Sequence, residues 1–345
     1  MSNKSSGNSM VSKILSVSKN KYINTVSNSE FYNREQESVI TDIPLLNVAC
    51  SSKIDVGLKS GILTVAGESK HFKSMFGLYF VEAFLKKDSE NVVVFVDSEF
   101  GVPKEYLEKF DLDWDRIVHA PINCVEDLKH ELVTQIDAFK SDKKKPKVMF
   151  FLDSLGNLAS RKELEDALEG KEKADMTRAK SIKSLFRMIT VDLKLLDIPM
   201  VIINHTYKAQ DAPNPKYAPT VVGGGTGAIY SSDYIWIIKR KKEKDGRDVL
   251  GYEFNIKIEK GRGIKEESTL PVRVYWDSGI HKWAGFSELA VEFGIVERIK
   301  LGRRAGIKFN DMEIDSGIED SDDEFWNYVL DNSDLADKIY SKYKG

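Results

Sequence analysis

The chain has 345 residues, 41% of them hydrophobic and 30% charged, with a formal net charge of −3, a composition that supports a globular protein with one large core and small appended elements. No apolar run approaches the roughly 18 residues that a membrane span needs, and the N-terminus lacks the apolar core of a secretion signal, so a cytoplasmic protein is expected. Two cysteines, Cys50 and Cys124, exclude a disulfide framework and a paired-cysteine metal site, and read as buried small side chains in a reducing compartment.

The near-neutral total hides a separation. Residues 311–345 hold eleven acids and three bases, a net of −8, which leaves +5 on residues 1–310. A basic body with an acidic tail is a pattern of proteins that meet nucleic acid.

In chain order, residues 1–30 are rich in Ser, Asn and Lys and read as a flexible or weakly helical arm. The fold proper is expected to begin near residue 40. Short β-branched runs then alternate with stretches of helical period: a strand over 62–66, a helix from Lys73, a strand over 92–96, a helix around 104–110, a strand over 147–152, a long helix over 174–196 and a strand over 200–204. This alternation predicts an α/β fold with a mostly parallel sheet flanked by helices. Strand-like runs at 234–239, 254–259 and 272–275, with a turn signal at Lys244-Asp245-Gly246, extend the sheet with antiparallel strands. After Gly285 the sequence reads as helical (289–293) and ends in the acidic segment. The expected divisions are an N-terminal arm or polymerisation segment (1–40), the core (41–285) and a C-terminal helical and acidic segment (286–345).

Between the first strand and its helix stand Gly67, Glu68, Ser69, Lys70, His71, Phe72, Lys73 and Ser74, followed by Met75. In a strand–loop–helix context such a run cradles phosphates on backbone N–H groups at the helix N-terminus, with Lys73 on the β/γ oxygens and Ser74 on Mg²⁺. The usual pattern has glycine where Phe72 stands, so the octapeptide alone suits a Ser/Lys-rich turn equally well. Two further strand ends favour the phosphate loop. Asp153 closes the third strand, where a carboxylate can hold the metal's water, and Glu99 closes the second. In a parallel sheet these carboxyl ends share one edge, so Ser74, Glu99 and Asp153 are expected to converge.

These residues resemble the RecA family, and more closely the UvsX-type recombinases of phage T4. The resemblance is carried by the Gly67 to Ser74 loop with its Phe72, by Val94-Phe95-Val96-Asp97-Ser98-Glu99-Phe100-Gly101, Leu152-Asp153-Ser154-Leu155-Gly156-Asn157-Leu158-Ala159-Ser160, Asn204-His205-Thr206-Tyr207 and Gly223-Gly224-Gly225-Thr226-Gly227. It implies a RecA-like P-loop ATPase core that uses ATP and Mg²⁺, forms helical filaments of its own copies on single-stranded DNA, and pairs that DNA with a homologous duplex. Single-strand-binding and loader or mediator proteins are further implied partners. The resemblance gives Glu99 the task of activating the attacking water. His205, where the family has Gln, becomes the γ-phosphate sensor, and Tyr106 the aromatic that stacks on adenine, although Pro103 replaces the nearby acid. It makes Lys260 and Arg262 the two cations inserted into a neighbour's site. A ring-forming helicase-type ATPase is the alternative within the same fold.

The DNA-binding loops would be residues 160–175 and 208–225, with Arg161, Lys162 and Lys208 in or beside them and Gly223, Gly224 and Gly225 permitting close approach. On the long helix, Ile182, Leu185, Phe186, Ile189, Leu193 and Leu196 share one face, while Lys180, Lys183, Arg187 and Lys194 share the opposite one and are available to phosphates. Residues 311–324, with eight acids and no base, are expected to form a tail that competes for the DNA path.

Overall fold

The computed structural model describes residues 9–33, 37–141, 144–171, 177–208, 220–241 and 251–345. It divides into two units, residues 1–37 and 38–345. The first carries helices α1 (Ser9–Val17) and α2 (Glu30–Asn33), and α1 buries none of its residues. Within this unit, the Asn33 amide donates to the carbonyls of Ser27 at 2.8 Å and Ser29 at 3.0 Å, tying α2 to the turn before it.

The second unit opens with β1 (Ser38–Val39), α3 (Pro44–Ser51) and β2 (Leu58–Lys59), followed by β3 (Gly61–Gly67), α4 (Lys73–Lys87), β4 (Val92–Asp97), α5 (Lys104–Leu107), β5 (Ile117–Pro121), α6 (Val125–Lys140) and β6 (Val148–Asp153). Next come α7 (Arg161–Leu168), α8 (Thr177–Leu195), β7 (Pro199–Lys208), β8 (Thr220–Val222), α9 (Thr226–Ser231), β9 (Tyr234–Arg240), β10 (Gly251–Lys260) and β11 (Thr269–Tyr275). The chain ends with α10 (Phe286–Glu292), β12 (Glu297–Leu301), β13 (Arg304–Phe309), β14 (Met312–Asp315), α11 (Asp323–Asp331) and α12 (Leu335–Tyr343).

A nine-stranded sheet in the order β11-β10-β9-β3-β7-β6-β4-β5, with β8 on β7, organises this unit. The run from β9 to β5 is parallel, whereas β10 and β11 pair antiparallel. Apart from the edge strand β5, both faces of the parallel part are covered, which is why β3, β4, β6, β7 and β9 read as largely apolar runs. Phe151 and Met149 of β6 join the layer of α4, while Phe150 and Leu152 join the layer of α6 and α8. The six apolar residues assigned to one face of α8 are all buried. Helix α4 lies close on the sheet because Gly77 has no side chain: a Cβ there would stand 2.5 Å from the Phe151 ring.

Several expectations need correction. The stretch expected as a loop over 160–175 holds α7, which starts on a capping box: Ser160 accepts from the Glu163 N–H while the Glu163 carboxylate accepts from the Ser160 N–H. The turn at Lys244-Asp245-Gly246 and the loop parts 172–175 and 209–219 lie outside the described residues. The C-terminal region is not helices followed by a free acidic tail, since β12, β13 and β14 form an antiparallel sheet. Several of its acids face inward or pair locally. Asp320 accepts from Arg273 at 2.7 Å and from the Tyr275 hydroxyl at 3.0 Å, Glu319 pairs with Arg298, Asp322 caps α11 on the Phe325 N–H, and Asp323 meets Lys282 at 2.9 Å. Buried Trp326 packs beside them against Phe286, Trp283 and buried Phe325. Several of these carboxylates are therefore held in pairs rather than forming a loose polyanion, while Asp311 and Glu324 are exposed.

Candidate nucleotide site at the carboxyl edge of the sheet

The loop after β3 turns through two non-glycine residues in left-handed backbone, Lys70 at φ 64° and Phe72 at φ 53°. Phe72 thus keeps the conformation that glycine would adopt freely. Its ring compensates by packing 5.9 Å from Phe254, 6.1 Å from Trp276 and 6.5 Å from Tyr252. Lys73 opens α4 buried, its Nζ donating to the Glu68 carbonyl at 2.9 Å. Burial lowers its pKa, and the carboxylates of Glu99 and Asp153 oppose that shift.

Ser74, Glu99 and Asp153 do converge. The Ser74 hydroxyl donates to Asp153 Oδ2 at 2.6 Å, and Asp153 is only 4% exposed. Burial pushes the Asp153 carboxyl up to about 6, with Glu99 and Asp97 adding to the rise and the Ser74 bond opposing it. Glu99 Oε2 lies 3.4 Å from His205 Nε2, so the second and fourth strand ends meet through their side chains. All of these groups line a cavity of about 410 Å³ together with Ser69, Lys70, Phe72 and Tyr106. Tyr106 is half-buried, and burial raises its hydroxyl pKa.

The rest of the loop faces elsewhere. Glu68 and His71 line a second, basic cavity of about 740 Å³ with Lys208, Lys239, Arg240 and Lys241. His71 Nδ1 lies 2.9 Å from the Ile238 carbonyl, which requires that nitrogen to carry the proton. Met75 is buried against the Gly279 turn, and Gly67 lies within the sheet, paired with His205 and Ile238.

Sequence reasoning missed Arg240, Tyr252 and Trp276, which also line the nucleotide-sized cavity. Arg240 ends β9, Tyr252 begins β10 and Trp276 follows β11, so the antiparallel register delivers all three to the edge where β3 ends. The Arg240 guanidinium sits 3.3 Å over the Tyr252 ring centroid, and Tyr252 and Trp276 rings are 4.6 Å apart. Only strand order shows this, because the three residues belong to separate runs in the sequence.

Lys260 and Arg262 do not reach the cavity. Lys260 pairs in register with Ile235, whereas Arg240 pairs with Phe254 at the other end of β10, a separation of roughly 17 Å at ~3.3 Å per residue. Lys260 donates to the carbonyls of Ile229 and Tyr230, and Arg262 pairs with buried Asp233, which also accepts from Lys194 at 2.6 Å. Lys194 is accordingly removed from the open basic face of α8. Lys180, Lys183 and Arg187 of α8 are exposed. Arg161 pairs with Asp127 at 2.6 Å, Lys162 is exposed at the start of α7, and exposed Lys208 is 3.4 Å from the Thr220 hydroxyl. Gly224 and Gly225 hold φ of 79° and 76° ahead of α9, and the Gly223 carbonyl accepts from Asn204 at 2.8 Å.

A parallel sheet with a phosphate-loop turn, acidic strand ends on one edge and an antiparallel extension defines a RecA-like α/β protein. The chain is 39% identical over 342 residues to the recombination and repair protein of Enterobacteria phage T4, covering 96% of this chain and 85% of that protein. It is 25% identical over 304 residues to Protein RecA of Streptomyces ambofaciens (85% and 76% covered) and 22% identical over 281 residues to Protein RecA of Rickettsia bellii (81% and 76% covered). No family model matches the chain. The chain belongs to the RecA-like recombination and repair proteins, and its function is that of a recombinase in recombination and repair. Among the described residues no helix is long and apolar enough to cross a membrane.

Proposed function

We propose that the protein is a DNA-dependent ATPase that assembles as a helical filament on single-stranded DNA and exchanges strands with a homologous duplex. The observation that carries the ATPase is the meeting of Lys73, Ser74, Asp153 and Glu99 around one cavity beside a helix N-terminus. The donor set fits Mg·ATP: a hydroxyl and a buried carboxylate 2.6 Å apart offer hard oxygen donors, and the cavity of about 410 Å³ suits a nucleotide. Magnesium bound there would neutralise charge on the phosphate oxygens. Ser74 would hold the metal, Asp153 would hold its water, and Lys73 with the loop amides of residues 67–75 would hold the phosphates. Tyr106 is suited to stack on the base.

Glu99 orients and deprotonates the attacking water, and His205, within reach of Glu99 Oε2, reports the state of the terminal phosphate to β7 and the segment after it. Lys260 and Arg262 act on a neighbouring protomer's nucleotide, which agrees with their distance from their own cavity. Exposed Lys162, Lys180, Lys183 and Lys208, with Arg161 beside them, contact DNA phosphates, and the glycines 223–225 let the backbone approach. Residues 1–40 serve as the polymerisation arm of a core spanning 41–285, with 286–345 as a C-terminal extension.

The test is ATP hydrolysis with and without single-stranded DNA, alongside electron micrographs of the complex. Turnover stimulated by DNA, abolished by Lys73→Ala and accompanied by open filaments is expected. DNA-independent turnover or closed rings would overturn the reading.

A further inference from the structure

Glu99 can act on a water only if its loop is fixed, and the anchors of that loop lie on both neighbouring strands. Asp97, 6% exposed at the end of β4, accepts at Oδ1 from the Glu99 N–H at 3.1 Å and from the Phe100 N–H at 2.7 Å. These bonds hold Phe100 in left-handed backbone at φ 51°, a conformation that a side-chain-bearing residue adopts only when its surroundings impose it. On the β6 side, the Ser98 hydroxyl donates to the Ser154 carbonyl at 2.6 Å and accepts from the Ser154 N–H at 3.0 Å. On the β5 side, the remaining oxygen of the clamp, Asp97 Oδ2, faces His119 Nε2 at 3.3 Å. A carboxylate can only accept, so Nε2 must carry the proton in that contact. The imidazole is itself set between Phe95, at 5.5 Å, and Phe100, at 6.2 Å between ring centroids.

We propose that His119 is a positioning residue for ATP hydrolysis, fixing Asp97 so that the Asp97 carboxylate presents the Glu99 turn at the phosphate cavity. The inference rests on the reading of Glu99 as the residue that activates the attacking water. Nothing in the sequence marks His119, because its role requires β5 to lie beside β4 in parallel register, with Phe95 opposite His119.

The experiment compares His119→Phe, which keeps an aromatic ring between Phe95 and Phe100 but removes the donor, with His119→Gln, whose amide can still donate to Asp97. In single-stranded-DNA-stimulated ATP hydrolysis, His119→Phe is expected to lower kcat about tenfold, in line with the cost of displacing a catalytic group by a fraction of an ångström. KM, the affinity for a fluorescent ATP analogue and the thermal midpoint should stay at wild-type values. His119→Gln should recover most of the lost kcat, and His119→Phe combined with Glu99→Gln should be no slower than Glu99→Gln alone. A His119→Phe kcat within about twofold of wild type overturns the inference. So does a parallel loss of nucleotide affinity, or a His119→Gln variant no better than His119→Phe. If Glu99→Gln itself hydrolyses ATP at the wild-type rate, the underlying reading of Glu99 fails, an outcome separable from the His119 result because it is scored on a different variant.

Discussion

Asp153 illustrates how much of the site is electrostatics of single residues. Its carboxyl is pushed from 3.8 up to about 6 by burial, so the folded chain holds that proton more tightly than the unfolded chain does. The stability gained from the proton is fully present below 3.8 and is lost as pH rises through about 6, leaving at neutral pH a buried, ionised carboxylate beside Ser74. A divalent cation at this position relieves that cost and competes with the proton. Magnesium-dependent binding of a fluorescent ATP analogue should therefore weaken as pH falls through about 6. In Asp153→Asn the magnesium dependence and its pH step should both disappear; an unchanged step would assign it to another group. Lys73, Ser74, Glu99 and Asp153 were legible in the sequence because each closes or follows an apolar run, and parallel strands put such ends on one edge. Arg240, Tyr252 and Trp276 were not legible, since their arrival at the cavity depends on an antiparallel register that no local pattern encodes.

At the scale of elements, the strand–loop–helix unit depends on how closely α4 approaches the sheet. Gly77 sits over Phe151, whose ring is 1% exposed and has no space to yield, and Ile203 is 3.1 Å from the same point. Gly77→Val should lift the helix, lower stability by about 1–3 kcal/mol as overpacking does, and weaken nucleotide binding through displacement of Lys73. Urea denaturation and nucleotide titration read the two effects, and a stable variant with unchanged affinity would show that α4 is free to shift. Strands buried on both faces announced themselves as β-branched runs, and α8 announced itself by its period. Several elements did not, β5 and α6 among them. β5 is half-exposed at the sheet's edge and short, and α6 buries only Val125, Leu128, Leu132 and Ile136 in sixteen residues. The β12–β14 sheet was also hidden: its strands alternate charged and apolar residues beside turns, and the dense acids of residues 311–324 read as solvated until their partners, Arg273 and Arg298, were in view.

At the scale of the whole molecule, the proposed role of Lys260 and Arg262 predicts that one chain does not hold a complete catalytic set. Lys260 and Arg262 occupy the amino edge of the parallel strands, near Asp233 and the carbonyls that end α9, while the phosphate cavity opens at the carboxyl edge. Asp233 also holds Lys194 at 2.6 Å and accepts from the Ile62 N–H at 3.2 Å, so under the proposed role it would stay partnered if Arg262 turned to a neighbour's site. A head-to-tail contact, in which one edge of each protomer meets the opposite edge of the next, would bring the two halves together and propagate as an open helix. Mixing separates this arrangement from one in which each chain works alone. A Lys260→Ala, Arg262→Ala double variant retains the cavity but supplies no cations, and Lys73→Ala supplies cations but binds no nucleotide productively, so each alone should be inactive. Random co-assembly of equal amounts juxtaposes an intact cavity with intact cations at about one interface in four, since each neighbour is drawn independently from two kinds. DNA-stimulated turnover of the mixture should then rise to about a quarter of the wild-type rate per chain if each interface works independently. If the cations served their own chain's site, every protomer in the mixture would lack one half of it, and the rate would stay at that of the separate variants.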